Sequence, residues 1–385
     1  MTLFDTRVAP PDPFADPASG TATGASPDQP NRRQPDRAAA VEFVASALGS
    51  LAGIWLVFTL AGISAPFGLG VAWLLTFATV YGVVCWRLHG ILVMKDRLAT
   101  LAVWAGALSA LIPLILVIVF VIVKGGAVVF ARFPHFFYGD MSGLGANSPV
   151  TAVGAGPAIV GTVEQVAIAT LLTVPIGILT ATYLVDNDNW FSRTVASVVD
   201  AMTGSPAIIA GLFVYLVWVV PLKTSGKSGM AAALALAVMM LPIVTRAAQE
   251  VIAVVPGGLR EASFALGAPQ WRTISRVVLP TARVGLATAV ILGVARVAGE
   301  TAPVLFNAGG NAYYNWDPFH GQQDNLPLRV YELIQQPSAN AIRVAWGISF
   351  VLVLVVLVLF ILARLIGASN PARLLVPWRT ARRRQ

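Results

Sequence analysis

Charge is what this sequence has least of. Only 11% of its 385 residues are Asp, Glu, Lys or Arg, where a soluble globular domain carries about 25%. A water-soluble chain of this length needs far more polar surface than 26 basic and 18 acidic groups supply, so one or several soluble domains are excluded. Cysteine is nearly absent too. Cys85 has no partner for an internal disulfide and stands in an apolar run, where a thiol behaves as a small hydrophobe. His89, His135 and His320 fall in different loops. No Cys-X-X-Cys, metal-ligand spacing or Walker-type glycine loop occurs, and Gly309-Gly310 reads as a flexible loop. The pattern therefore offers no metal site, no catalytic residues and no means of hydrolysing ATP within the chain.

Apolar sequence is what is abundant: 57% of the side chains are hydrophobic and the mean hydropathy is +0.75. Runs long enough to cross a bilayer, about 20 residues each, fall at 41–63, 67–86, 99–123, 157–185, 195–220, 230–254, 281–306 and 343–366. Such runs are not the short alternating strands of an outer-membrane barrel. The expectation is an all-α integral membrane protein with eight candidate helices.

Residues 1–40 form a tail with seven prolines from Pro10 to Pro35 and nothing to build a core from, read as disordered. No apolar core follows a short basic start, so the tail is not patterned as a signal peptide. The net charge of +8 raises nucleic acid as a partner, but positive charge also collects in the cytoplasmic loops of membrane proteins. With both termini inside, the cytoplasmic segments hold 17 Lys and Arg and the external ones 5. That asymmetry favours lipid over nucleic acid as the surroundings, a cytoplasmic N-terminal tail, and a basic cytoplasmic tail at 367–385. The two long external segments carry aromatic clusters, Phe130, Phe133, Phe136, Phe137 and Tyr138 in one and Tyr313, Tyr314, Trp316 and Phe319 in the other. They fit an interfacial belt better than a docking surface.

Chemistry concentrates in two places. Between the runs at 230–254 and 281–306 lies a cytoplasmic loop, 255–280, in which Glu261, Ala262 and Ser263 sit among good helix formers. Gly267 is a natural helix stop and Pro269 can open a second short helix, giving a stiff helix-Gly-helix knob. The other place is Arg296 with Glu300. Arg296 lies 15 residues beyond Thr281, which at about 1.5 Å per residue brings it near the midplane. A central Arg costs about 2.5–3.5 kcal/mol on insertion scales. Spaced i, i+4, the two charges share a helix face and partly neutralise each other. A salt bridge alone leaves unexplained why two costly groups stand where Ala or Leu would serve. Arg246 and Glu250 form a second i, i+4 pair near the cytoplasmic end of their helix and read as structural. Glu164 reads as a wet interfacial group. Asp200, just ahead of Gly204-Ser205-Pro206, is a weaker pathway candidate.

The loop resembles the Glu-Ala-Ala, Gly, Ile-x-Leu-Pro signature of ABC importer permeases, keeping Glu261, Ala262, Gly267, Leu279 and Pro280, with Ser263 and Val277 as replacements. Leu241-Pro242, Arg246, Glu250 and Pro256 extend the match. The run Arg296 to Pro303, together with Ser205-Pro206 and Gly211-Leu212-Phe213, resembles the A-type permease of phosphate-specific importers.

This resemblance implies a type I importer fold. A six-helix core would comprise a first helix and long external loop at 87–156 and the permease domain at 157–366. Two extra N-terminal transmembrane helices at 41–86 would precede it. It implies that Glu261, Ala262, Ser263 and Gly267 couple to a cytoplasmic ATPase, and that Arg296, Glu300, Thr301 and, more weakly, Asp200 line a path for phosphate. The implied partners are a C-type permease, two ATPase subunits carrying ATP and Mg, and an external phosphate-binding protein, all at a bacterial inner membrane. Sulfate and molybdate are also tetrahedral, so local chemistry leaves them open. A membrane subunit that docks or signals without conducting anything is the alternative of a different class.

Overall fold

Apolar runs as long as the bilayer is thick leave the backbone one way to satisfy its own N–H and C=O groups, which is to coil. The computed structural model describes residues 37–62, 65–141, 153–222 and 226–367, and every regular element among them is a helix. The disordered N-terminal tail and the basic C-terminal tail expected from the sequence lie outside the described residues, apart from a few at their inner ends.

Contacts divide the chain into two units, 1–112 and 113–385. The first holds α1 (Arg37–Leu60), α2 (Pro66–His89) and the beginning of α3 (Ile91–Phe130). α1 and α2 form an antiparallel hairpin: Phe43 packs edge-on against Phe77 and Tyr81, and Trp73 Nε1 donates to Ala47 O at 3.1 Å. Cys85 is buried against this aromatic cluster, as a small hydrophobe should be. Arg97 and His89 both reach Glu42.

The second unit holds the end of α3, then α4 (Gly156–Asp186), α5 (Trp190–Thr203), α6 (Ala207–Leu222) and α7 (Gly229–Ala253). α8 (Gly257–Ala265), α9 (Gln270–Val297), α10 (Ala302–Asn307), α11 (Leu326–Ile334) and α12 (Ala339–Gly367) follow. Local sequence explains several starts: Asn189 Oδ1 accepts from Ser192 N at 2.8 Å, and Ser228 Oγ accepts from Ala231 N at 3.2 Å. The core is the seam between α4 and α7, where Ala169 and Ala181 meet Ala232, Leu236, Val244 and Ala248. Small residues let two backbones approach closely in lipid, where burial of apolar surface supplies no drive of its own.

Seven helices are long and apolar enough to cross a membrane, and α5 with α6 forms an eighth candidate bent by 107°. The bent pair is either one broken crossing or a hairpin that returns to its starting side. The α4–α7 seam decides between them. Val166 packs near Ala232, Thr173 Oγ1 donates to Ala237 O at 3.3 Å, and Ala181 meets Ala248 and Ile252. Positions advance together, so α4 and α7 run parallel, and the segment joining them must cross once. Counted so, the described residues hold eight candidate crossings.

Two expected helices are not continuous. The run at 195–220 breaks at Gly204-Ser205-Pro206, and the run at 281–306 ends at Val297 and resumes as α10. Proline alone does not do this, since Pro113, Pro175 and Pro242 all sit inside unbroken helices. Each break has a proline and a glycine nearby, Gly204 with Pro206 and Gly299 with Pro303, but Pro175 and Gly177 stand as close inside the unbroken α4, so the combination contributes without deciding the outcome. The ring removes one ladder hydrogen bond while the glycine weakens the same turn.

At the opposite end from α8, a buried polar network ties the segment before α11 to α4. Gln165 Nε2 donates to Gln323 Oε1 and Asp324 O, and Asn325 Nδ2 donates to Gln165 Oε1. Arg329 donates to Asp324 at 2.8 Å and to Glu332 at 3.0 Å. Burial pushes the Asp324 carboxyl up to about 6 from its ordinary 3.8, with Arg329 opposing the shift. The folded chain therefore holds this proton more tightly than the unfolded chain. Its stabilising effect is complete below about pH 3.8 and disappears as pH rises through about 6. Thermal unfolding of the purified protein should accordingly show Asp324→Asn gaining on wild type between about pH 4 and about pH 6. A constant difference across that range would contradict the assignment.

Candidate functional site

The two breaks lie beside the same recess. About 480 Å³ of open space is enclosed by α5, α6, α7 and α9, with an otherwise apolar lining that includes Met202, Phe213 and Ile243. Its polar side chains are Thr203, Ser205 and Arg296. Irregular backbone at membrane depth is tolerated only when buried in protein or lining a cavity; Ser205 of the first break lines this recess, and Ala298 of the second is buried.

Arg296 occupies the last turn of α9, where a cation complements the helix dipole. It shares the recess with Met239, Pro242 and Ile243, in the middle of the 25-residue α7. Arg296 is thus level with the middle of α7, although α9 begins earlier than expected, at Gln270. The pairing with Glu300 is looser than the i, i+4 spacing suggests. Glu300 lies past the end of α9, its Oε1 is 3.9 Å from Arg296 Nε, and the two do not share a helix face. The Arg296 side chain is 61% exposed, against 21% for Glu300. An ion pair at the outer limit of contact leaves most guanidinium N–H donors open to the recess. Thr301 directly precedes α10, and its carbonyl accepts from Leu305 N at 3.0 Å.

Asp200 is placed differently. It pairs with Arg246 across the α5–α7 contact, and Arg246 also donates to Gln249 Oε1 at 2.7 Å and Ala196 O at 3.2 Å. The expected Arg246–Glu250 pair is replaced by this arrangement, because α5 brings a carboxylate closer than the next turn of α7 does. Glu164 is likewise more than a wet interfacial group, since Gln323 Nε2 donates to it. Among the aromatics, Phe136 belongs to neither belt nor docking surface. It is fully buried against Val344 and Ile348, while Phe130, Phe133, Trp316 and Phe319 are exposed.

The knob at 255–280 forms as its local sequence requires. α8 ends at Ala265, Gly267 adopts φ +79°, and Pro269 caps the next helix. That second helix is not short: it runs through a π-helical turn, Ile274–Val278, directly into the span. Ser263 is buried, and its Oγ lies 2.8 Å from Thr273 Oγ1, bonding the two arms of the knob. Glu261, Ala262, Phe264 and Trp271 remain exposed, and Leu266 at the tip is 90% exposed. The knob is anchored by Arg260, which pairs with Asp186 at the end of α4 and also reaches Ile252 O. Reading the sequence missed this pair; an arginine one place before Glu261, with an aspartate closing an apolar helix, was the available signal.

Comparisons with known proteins bear on this geometry. Residues 173–374, just over half the chain, match the family described as binding-protein-dependent transport system inner membrane component. The phosphate transport system permease protein PstA 1 of Mycobacterium tuberculosis (strain CDC 1551 / Oshkosh) is 38% identical over 274 residues, covering 71% of this chain and 88% of the relative. A probable phosphate transport system permease protein PstA of Methanocaldococcus jannaschii is 34% identical over 270 residues, covering 70% and 92%.

This chain belongs to the PstA permease family.

Among solved structures, an inward-facing MetNI methionine ABC transporter is 21% identical with a TM-score of 0.45, covering 55% of this chain and 94% of that one. As a PstA-family permease the chain is a multi-pass membrane protein that works with further transporter components. Its six-crossing core, α3 to α12, is preceded by the α1–α2 pair.

The anchor of the knob is testable. Asp186→Asn leaves the largely buried Arg260 without its counter-charge and should lower stability by about 3–5 kcal/mol, read as a fall in Tm of the purified protein. Adding Arg260→Met should recover most of that loss, because the uncompensated charge is then gone.

Proposed function

We propose that this chain is the permease subunit of an ATP-driven phosphate importer and supplies half of the translocation path. The observation that carries this is an uncovered guanidinium level with the middle of α7, in a recess between two broken spans. A lipid-facing Arg at that depth costs about 2.5–3.5 kcal/mol on insertion scales. The face bearing Arg296 is therefore turned toward water and a second subunit. The relatives' name supplies phosphate as the ion, and Arg suits it, because its fork of N–H donors meets tetrahedral oxyanions in pairs. Glu300, held loosely at 3.9 Å, steadies the side chain without occupying its donors and disfavours a trapped anion. Thr301 lies at the same break. Asp200 serves the path indirectly, by fixing α5 to α7 through Arg246.

The second subunit is a C-type permease facing the α5, α6 and α9 surface. Two ATPase subunits carry the ATP and Mg, and this chain performs no hydrolysis. Each ATPase receives a knob: Glu261, Ala262 and the exposed Leu266 and Trp271 present the contact, while Ser263 and Gly267 shape it. An external phosphate-binding protein delivers the ion at the side bearing Tyr313, Trp316 and Phe319. Both termini lie in the cytoplasm at a bacterial inner membrane, and the excess of Lys and Arg in the loops on the knob side supports that orientation.

The deciding experiment reconstitutes the complete importer in proteoliposomes and follows labelled phosphate. Arg296→Leu should reduce ATP-dependent accumulation to background while the subunits still co-purify. Undiminished accumulation would remove Arg296 from the path. Assembly and ATP hydrolysis with no accumulation by the wild type would favour a docking subunit, and accumulation of sulfate or molybdate in preference to phosphate would change the ion.

A further inference from the structure

We propose that α6 and α10, the second halves of the two broken spans, move as one body about the paired breaks, with Asn307 as the positioning residue that joins them. The inference rests on the transport reading above. Three contacts bind the two short helices. A Cβ on Gly211 would stand 2.6 Å from Pro303 Cα, so only glycine lets α6 and α10 come this close. Asn307 is fully buried, and its Nδ2 donates to Gly211 O at 2.9 Å and to Pro303 O at 2.7 Å. The rings of Tyr215 and Phe306 meet at 6.3 Å.

Asn307 Oδ1 accepts no hydrogen bond, which is an expense a buried leucine would avoid. The side chain is kept for its two donated bonds, one within α10 and one across to α6. The breaks have the opposite character. A Cβ on Gly204 would meet nothing closer than 3.8 Å, and one on Gly299 nothing closer than 3.9 Å. Close packing does not call for glycine at either place. Both stand at the ends of elements, where a few residues absorb the backbone rotation of a hinge. Ser205 adjoins one break and Arg296 lies three residues before the other, and both line the recess. A joint movement of α6 and α10 therefore reshapes the recess around Arg296, whereas independent movement would tear the Asn307 bonds.

The test uses the assembled importer in proteoliposomes, with Tyr215→Cys and Phe306→Cys introduced on a Cys85→Ser background. Joining the two thiols with a short bis-methanethiosulfonate, which forms a disulfide to each with loss of methanesulfinate, should leave labelled phosphate accumulation within about twofold of the reduced sample, because the bridged helices never separate. Loss of accumulation on bridging, restored by reductant, overturns the inference. A wild-type complex that fails to accumulate phosphate would instead defeat the transport reading. Should the cysteine pair itself be inactive, Asn307→Leu decides. Phosphate delivered per ATP hydrolysed should fall about tenfold, while KM for the loaded binding protein and ATP hydrolysis itself stay unchanged. Uptake and hydrolysis falling together would mean that Asn307 only supports the fold, and would overturn its positioning role.

Discussion

Lipid offers no partner to a bare N–H, C=O or charge, and this exclusion organises the whole molecule. It forces every described crossing to be helical, and it restricts each departure from helix to a place where protein or a cavity receives the freed groups. The breaks at Gly204–Pro206 and Gly299–Thr301 are such departures, and they fall beside one recess instead of at scattered positions. The same exclusion makes Arg296 conspicuous, because a guanidinium at the level of Pro242 has to be answered by water, another chain or an anion.

The remaining charges show how fully such groups are answered elsewhere. Arg246 takes Asp200, Arg260 takes Asp186, Arg329 takes both Asp324 and Glu332, and Arg97 takes Glu42. Each of these is held within ordinary ion-pair contact. Arg296 differs from these four, with a single carboxylate 3.9 Å away and well over half its side chain open. Its incomplete pairing sets it apart from groups that merely hold helices together.

The two ends of the second unit are fixed by different means. At the knob, a buried Ser263–Thr273 bond and the Arg260–Asp186 pair hold α8 against the ends of α4 and α9. At the other end, the amides of Gln165, Gln323 and Asn325 clasp the segment before α11 to α4. Between them runs the parallel α4–α7 seam, built from alanines and small β-branched residues. The broken spans pack on that seam as well, α9 through Leu286, Ala289, Val294 and Val297 and α10 through Val304.

What the sequence determined is what depends on local chemistry. Apolar length located the crossings, Gly267 and Pro269 marked the turn of the knob, and the cost of charge in lipid singled out Arg296. Partnerships were not legible, because i, i+4 spacing presumes a continuous helix and ignores neighbouring elements. Glu300 falls off the end of α9, and Arg246 turns to α5 in preference to Glu250 one turn further along its own helix. The breaks were equally hidden, since Pro113, Pro175 and Pro242 show that a proline may leave a membrane helix unbroken. Only tertiary structure decided these points: a hydrogen bond or ion pair goes to whichever group packing brings nearest, and packing joins residues as distant as Gly211 and Asn307.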